Sequence, residues 1–153
     1  MEKTLQKNEN CLAMAGIASV YYVDINNVST CIPSGDGMTV TLAQGKSWSE
    51  IECDDAQASA RYEEHLAYRH HVEMTYHGNQ QGVSNDLDEM TECRFLVKVV
   101  DNNGTEWLFG HTGTPLRFTF ESNNDGDPEG ETAYRLVFES LCPLSERRII
   151  PAS

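Results

Sequence analysis

The chain has 153 residues, of which 39% are hydrophobic and 23% are charged, and this composition excludes a disordered chain and suits one domain. The formal net charge is −13, from 24 acidic and 11 basic residues, which disfavours a protein that grips nucleic-acid phosphates over a broad surface. The five cysteines include no Cys-x-x-Cys pair, so we interpret them as reduced thiols of a cytosolic protein rather than a disulfide framework or a zinc site.

Three segments are expected along the chain. Residues 1–12 are expected to form a flexible N-terminal arm, residues 13–143 a single β-rich domain and residues 144–153 a C-terminal tail. The apolar run at residues 11–23 suggests the core of a signal peptide, but Glu2, Glu9 and its β-rich ending argue against one. No span approaches the roughly 20 apolar residues that a membrane helix needs. The sequence therefore predicts no signal peptide and no membrane partner.

The first third of the domain predicts short strands. Residues 17–24 are rich in β-branched and aromatic side chains, which indicates a first strand. Residues 26–37 contain Asn, Pro and Gly, which predict a mobile loop. Residues 38–42 alternate apolar and polar side chains, which predicts a second strand. A short third strand follows, with Glu50 and Glu52 on its outer face.

Two longer strands are predicted between residues 56 and 76, followed by a helix. Apolar and polar side chains alternate with a period of two through this region, which favours strands over the competing helix. The segment from residue 84 to residue 92 is the one convincing helix, with Ser84 or Asn85 as its cap and Asp86 and Asp88 in its first turn.

Residues 93–121 predict a meander of three strands joined by two turns. The first strand is apolar on both faces and is therefore expected to be buried, and Asn103-Gly104 is a strong hairpin signal. We expect Trp107 and Phe109 to pack in the core rather than to form a contact patch. With a last strand near residues 134–139, the fold class is mainly β: an antiparallel β-sandwich or barrel of about eight strands with one short helix.

Histidine and acidic residues crowd one of the long strands: they are His65, His70, His71 and His77, with Glu63, Glu64 and Glu73. His65, His71 and Glu73 share a face of the predicted strand, and His71 and Glu73 are spaced to touch one ion. A metal site usually needs a third ligand from another element, so a solvated polar face is the favoured interpretation and metal binding by this strand stays an open alternative.

The acidic loop at residues 121–131 matches part of the pattern of a calcium-binding loop. Glu121, Asn123 and Asp125 fit the first, third and fifth positions of a calcium loop, but Thr132 occupies the twelfth, where a bidentate acid is required. A flexible solvated loop is therefore favoured. The chain also contains no Gly-x-Ser-x-Gly elbow and no phosphate-binding glycine loop. We predict no catalytic residues, no cofactor and no metal ligands.

Three pieces of the chain resemble small virion proteins that phages and prophages of gut bacteria encode, especially proteins of the tail tube or neck. The pieces are GIASVYYVDI, FLVKVVDNNGTEWLFG followed by TPLRFTF, and YRLVFESLCP. The resemblance extends from Ile17 to Pro143. Where such proteins often close with Gly-Glu-Thr and an aromatic-rich tail, this chain has Glu139-Ser140-Leu141-Cys142 and then Arg147-Arg148.

The resemblance implies a tail-tube-type fold and a non-enzymatic structural role in a virion. The expected partners are copies of this chain in a ring, usually a hexamer, together with other virion proteins, and DNA enters only as transiting cargo. The protein is expected to be made in the bacterial cytoplasm and to reside in the virion as a tail tube subunit, or as a head-to-tail joining or terminator ring. The alternative from another class is a monomeric β-sandwich module that binds a carbohydrate or a protein.

Overall fold

A computed structural model describes residues 11–14, 16–34, 37–63, 67–77, 83–123 and 133–149. In these ranges twelve strands belong to one sheet, and the mainly β class is confirmed, with more strands than the expected eight. The strands are β1 (Cys11–Met14), β2 (Ile17–Asp24), β3 (Val28–Ser34), β4 (Gly37–Leu42), β5 (Ser49–Ile51), β6 (Asp54–Glu63), β7 (Ala67–His77), β8 (Arg94–Asp101), β9 (Glu106–Phe109), β10 (Leu116–Asn123), β11 (Ala133–Cys142) and β12 (Arg147–Ile149). One α-helix, α1 (Val83–Met90), and a 3-10 turn (Ile25–Asn27) complete the described elements.

The sheet folds over into two layers. The β7 layer runs β1-β6-β7-β11-β10, and the β8 layer runs β5-β2-β8-β9-β12. The sheet then continues from β12 into β4 and β3, which pack over the other face of β8. The layers meet at a corner where the first residues of β10, Leu116 and Arg117, pair with the first residues of β8. Among the described strands, all pairings are antiparallel except that between β12 and β4, which is parallel.

Strand β8 is buried on both faces, as its sequence predicts. Phe95, Val97 and Val99 face the core between the layers and are at most 3% exposed. Leu96 points the opposite way into a second core and is fully buried. Because alternate side chains of a strand point to opposite faces, this burial requires one cover on each side of β8.

Four aromatic rings join the two layers. Tyr22 of β2 and Phe95 of β8 meet edge to face with centroids 5.5 Å apart, and Phe118 of β10 lies 5.0 Å from Phe138 of β11. Phe95 and Phe138 close the cluster across the layers at 5.7 Å. Such pairs contribute about 0.5–1.5 kcal/mol each beyond the area they bury, so this cluster stabilises the contact between layers.

The hairpin of β3 and β4 covers the second core. Val23, Met38, Leu96 and Leu108 are its buried members. The mobile loop expected at residues 26–37 is therefore wrong for most of its length, because β3 pairs with β4 from Val28 onwards. Pro33 is compatible with this position because, among the described residues, β3 pairs with β4 alone, and proline is tolerated on edge strands.

The three strands expected in residues 93–121 are present, but they do not form a meander. Strand β9 pairs with β8 and β12, whereas β10 pairs with β8 and β11. The chain leaves β9 at Gly110, whose φ is +90°. A Cβ at Gly110 would lie 3.1 Å from Leu116 and 3.2 Å from Leu96. Glycine therefore avoids both a strained backbone and a tight side-chain contact where the turn crosses between the layers.

The long strands predicted between residues 56 and 76 are confirmed as β6 and β7, which pair with each other. The helix is also confirmed, but it begins at Val83. Ser84 and Asn85 consequently lie inside its first turn, and the prediction that either residue caps it is wrong. Cys11, expected in the flexible arm, begins β1, and the expected tail contributes β12. The single-domain boundaries at residues 13 and 143 stay a prediction.

Substituting Gly110 by alanine should destabilise the protein more than the same change at Gly45. Both glycines have positive φ, but nothing lies within 4 Å of a Cβ at Gly45. Gly45→Ala should cost about 1 kcal/mol for the left-handed backbone alone. Gly110→Ala should cost about 1–3 kcal/mol more, because the methyl group overpacks against Leu96 and Leu116. Urea denaturation of the two variants measures the difference, and equal losses would contradict the packing argument.

Candidate functional site

The histidines of β7 point to opposite faces of the sheet. His70 is fully buried between the layers, and His71 lies on the outer face at 30% side-chain exposure. His77, at the end of the strand, is 3.2 Å from Asp54. His65 and Glu64 lie outside the described residues. Alternation along the strand therefore separates the histidines that the sequence places together.

His71 contacts two carboxylates. Its Nε2 is 3.0 Å from Glu73 Oε1, as the spacing predicts, and its Nδ1 is 2.7 Å from Glu139 Oε2 on β11. Both nitrogens can donate to these oxygens together only when the imidazole is protonated. Among the described residues, no three His, Cys, Asp or Glu side chains are grouped so that they could hold one metal ion. The arrangement suits an ionic contact rather than metal coordination.

These contacts belong to a longer charge ladder across the outer face of the β7 layer. In order, the ladder contains Glu63, Arg69, Glu139, His71, Glu73, Arg135 and Glu121. Arg135 bridges Glu73 at 2.7 Å and Glu121 at 3.1 Å. Arg135, followed by His71, lowers the pKa of Glu73 to about 2. A carboxylate held ionised in this way is a poor general base, so the ladder offers charge balance rather than proton transfer.

Of the residues weighed for calcium, Glu121 lies on β10 and is engaged by Arg135. Asn123 ends the same strand, and Asp125 and Thr132 lie outside the described residues. Among the cysteines, Cys31, Cys53, Cys93 and Cys142 are free thiols. Burial raises the pKa of each of these thiols, which makes them weak nucleophiles.

His70 is a structural connector. The Gly110 N–H donates to His70 Nδ1 at 3.0 Å, so the ring proton resides on Nε2, which donates to the Leu144 carbonyl at 2.7 Å. Burial lowers the pKa of His70 to about 4. The neutral imidazole thus ties β7 to the turn after β9 and to the segment that leads into β12. Phe109, beside it at 5.6 Å, is fully buried, which confirms that it packs in the core.

Polar groups without partners lie in the same part of the molecule. Within the described residues, the buried atoms His111 Nε2, Thr114 Oγ1 and Glu146 Oε2 have no hydrogen-bond partner. Glu146 is only 6% exposed, and burial raises its pKa to about 7. Unsatisfied buried groups cost free energy of folding. The buried Glu146 oxygen therefore destabilises residues 144–149, and packing and the hydrogen bond from His70 keep this segment in place.

A groove runs beside α1 at one end of the two layers. It consists of two adjoining clefts of about 390 Å³ and 430 Å³ that share Tyr22, Asp86 and Met90 as lining residues. Ile51 of β5, Leu87 of α1 and several strand residues provide apolar walls. Glu50 and Glu52, which the sequence places on an acidic outer face, are exposed and line the first cleft of this groove.

The sequence does not reveal this groove as a site. Its lining comes from segments that are far apart in the chain, namely β2, β5, β7, α1, the start of β8 and β11. None of these segments carries a motif that marks a ligand. The only usable signal was the alternation of Glu50 and Glu52 with Ile51, which predicted an acidic face but not the helix opposite it.

The open edges of the sheet form a second candidate surface. Among the described residues, β1 pairs with β6 alone and β3 pairs with β4 alone. Ile32 on β3 is 55% exposed, the largest value among the exposed large apolar side chains Ile32, Tyr62 and Leu141. Unpaired strand edges carry free N–H and C=O groups that another chain can pair with.

Comparison with known proteins identifies no relative: no protein family matches the chain, and neither do curated proteins or solved structures. In the described part of the chain, no helix combines the length and the apolar character needed to cross a membrane.

Replacing Glu146 by glutamine should change how stability depends on pH. The folded pKa near 7 exceeds the ordinary value of 4.5, so the folded protein keeps a proton that the unfolded chain releases as pH rises. The wild type therefore loses stability with rising pH through this window, while Glu146→Gln does not titrate. Between about pH 4 and pH 8 the variant should gain up to about 3 kcal/mol relative to the wild type.

Urea denaturation at a series of pH values measures this gain. Glu92→Gln, at an exposed position in the turn after α1, removes one carboxylate from the surface and is the matched control. Its curve should run parallel to that of the wild type. A Glu146→Gln curve that also runs parallel would show that the buried carboxyl is not protonated in the folded protein.

Proposed function

We propose that this chain is a non-enzymatic structural subunit of a phage or prophage virion, of the tail tube or neck type, and that copies of it assemble into rings around a DNA passage. The observation that carries the proposal is the open sheet, whose terminal strands β1 and β3 each have a partner on one side only among the described residues. Strand edges of this kind can continue a sheet from one subunit into the next.

The β1 and β3 edges differ from each other, which favours a ring, and among the described residues the short strand β5 offers a third open edge. A contact between β3 of one copy and β1 of the next is head to tail, and head-to-tail contacts form a ring when the rotation between subunits closes. A symmetric dimer would instead use one edge twice. The resemblance to tail tube proteins suggests six subunits, and other virion proteins would contact the ring above and below.

The resemblance falls on strands that build the core. Its first piece covers β2, its second covers β8, β9 and β10, and its last covers β11. These strands supply Tyr22, Phe95, Phe118 and Phe138, the aromatic cluster between the layers. The similarity therefore supports a shared architecture rather than a shared catalytic site.

The charge of the chain supports DNA as cargo rather than as a ligand. A net charge of −13 repels phosphates, so DNA can pass without adhering. The same charge opposes contact between subunits, and ring formation therefore depends on edge pairing and on salt. The protein would be made in the bacterial cytoplasm and function in the assembled particle.

The alternative is a monomeric β-sandwich module that binds a carbohydrate or a protein, and the groove beside α1 favours it. Concave surfaces with apolar walls and a few polar groups are the usual binding sites of such modules. A module of this class uses its groove and needs no ring, so oligomeric state distinguishes the two functions.

A lysine on the β3 edge should prevent ring assembly. We expect the wild type to form rings or stacked tubes as its concentration rises, and Ile32→Lys to remain monomeric because a charge on an edge strand opposes pairing. Thr41→Lys is the matched control: it adds the same charge at an exposed position of β4, whose edge β3 already occupies. This control should still assemble.

Light scattering after size-exclusion chromatography, with negative-stain imaging of the most concentrated samples, measures assembly. A crowding agent such as polyethylene glycol at the upper concentrations promotes nucleation. A wild type that stays monomeric throughout would overturn the ring proposal and favour the binding module. Rings that form equally well with Ile32→Lys would instead reject β3 as the contact.

A further inference from the structure

We propose that the groove between α1 and β5 binds an extended segment of another protein in which lysine or arginine alternates with apolar residues. This inference goes beyond ring assembly and does not depend on it. It is carried by three features of the groove: an apolar floor, a rim of carboxylates with no lysine or arginine among the described lining residues, and a strand edge that is open among the described residues.

The floor of the groove is apolar and is built on the main core. Leu87 of α1 is 6% exposed, and Met90 packs against the same core one turn later. Tyr22 lies where the two clefts join, and its ring rests against Phe95 and Phe138. The floor is therefore rigid, and an apolar side chain placed on it loses water without requiring the core to rearrange.

The rim of the groove is acidic throughout. Its carboxylates are Asp24, Glu50, Glu52, Asp86 and Glu89, and the described part of the chain contributes no lysine or arginine to the lining of either cleft. Asp86 lines both clefts. Burial, followed by the charges of Asp24 and the nearby glutamates, raises the pKa of the Cys93 thiol in the second cleft, as a field of negative charge does.

This rim differs from the other acidic surface of the protein. On the outer face of the β7 layer, Glu63, Glu73 and Glu121 each contact an arginine. The carboxylates around the groove have no such neighbour in its lining, so their charge is available to a partner. Opposite charges across an interface accelerate encounter and select the partner, which favours a basic segment.

Strand β5 lines the first cleft with Glu50 and Ile51, and among the described residues it pairs with β2 alone. An extended segment added to the other edge of β5 would gain backbone hydrogen bonds there. Its side chains would then alternate between the carboxylate rim and the apolar floor. A phosphate-bearing nucleic acid or membrane would be repelled by the rim, and a second copy of this chain carries the same net charge of −13.

The test uses a fluorescein-labelled peptide in which lysine alternates with valine and isoleucine. Fluorescence anisotropy follows its binding to the full chain at protein concentrations where light scattering shows a monomer. We expect saturable binding that weakens as salt rises. A matched peptide with glutamate in place of lysine should not bind.

Charge reversals locate the site. Asp86→Lys should weaken binding about tenfold, because it replaces an attraction with a repulsion at the centre of the groove. Asp88→Lys, on the same helix and exposed but outside the groove lining, makes the same change in net charge and should alter binding less than about twofold. Glu50→Lys on the opposite wall should reproduce the Asp86→Lys effect.

Equal losses in Asp86→Lys and Asp88→Lys would overturn the proposal, because they would indicate diffuse attraction to an acidic protein. Absence of binding, or equal binding of the glutamate peptide, would also overturn it. Circular dichroism checks that each variant is folded. Since the measurement is made on monomer, its failure is independent of any failure to form rings.

Discussion

Strand β8 needs an apolar cover on each of its faces, and most of the architecture follows from this requirement. The β7 layer, with Phe118 and Phe138, covers Phe95 and the valines on one face. The β3–β4 hairpin and the segment before β12 cover Leu96 on the other. Two layers alone would leave Leu96 exposed to water. Leaving a leucine side chain exposed rather than buried costs about 2 kcal/mol of stability. The sheet therefore extends beyond β9 into β12, β4 and β3.

Polar contacts position the same extension at some cost. His70 reaches from β7 to Gly110 and to Leu144, so one imidazole links the β7 layer, the crossing turn and the C-terminal segment. Its pKa near 4 means that it stays neutral at physiological pH, where both hydrogen bonds persist. The unpaired buried oxygen of Glu146 lies on the same segment and acts in the opposite direction. Packing and the hydrogen bond from His70 therefore stabilise the segment that leads into β12, and the unpaired oxygen of Glu146 destabilises it.

Periodicity was enough to predict the strands that bury one face or two. Burial of one face produces the alternation of apolar and polar residues that is visible in the sequences of β2, β7, β10 and β11. Burial of both faces produces the apolar run of β8. Strands β1, β3 and β12 were not predicted because they are short or carry turn-forming residues, and pairing with distant segments stabilises them. The predicted meander was wrong for the same reason. The turn at Gly110, and not the residues of β10, decides which strand β10 pairs with. The groove and the charge ladder depend on cross-strand register, which a single sequence does not report.

The acidic charge of the chain is divided between two surfaces with different physical consequences. On the ladder, two arginines pair with the carboxylates and offset part of their charge, so that face should repel DNA less strongly than unpaired carboxylates would. Around the groove the carboxylates have no basic residue in the lining, and the repulsion between them lowers stability unless a cation or a basic partner approaches. Five carboxylates around an apolar floor therefore carry a cost that folding alone does not require, since the helix could seal the layers with neutral residues. The proposed binding role of the groove accounts for that cost.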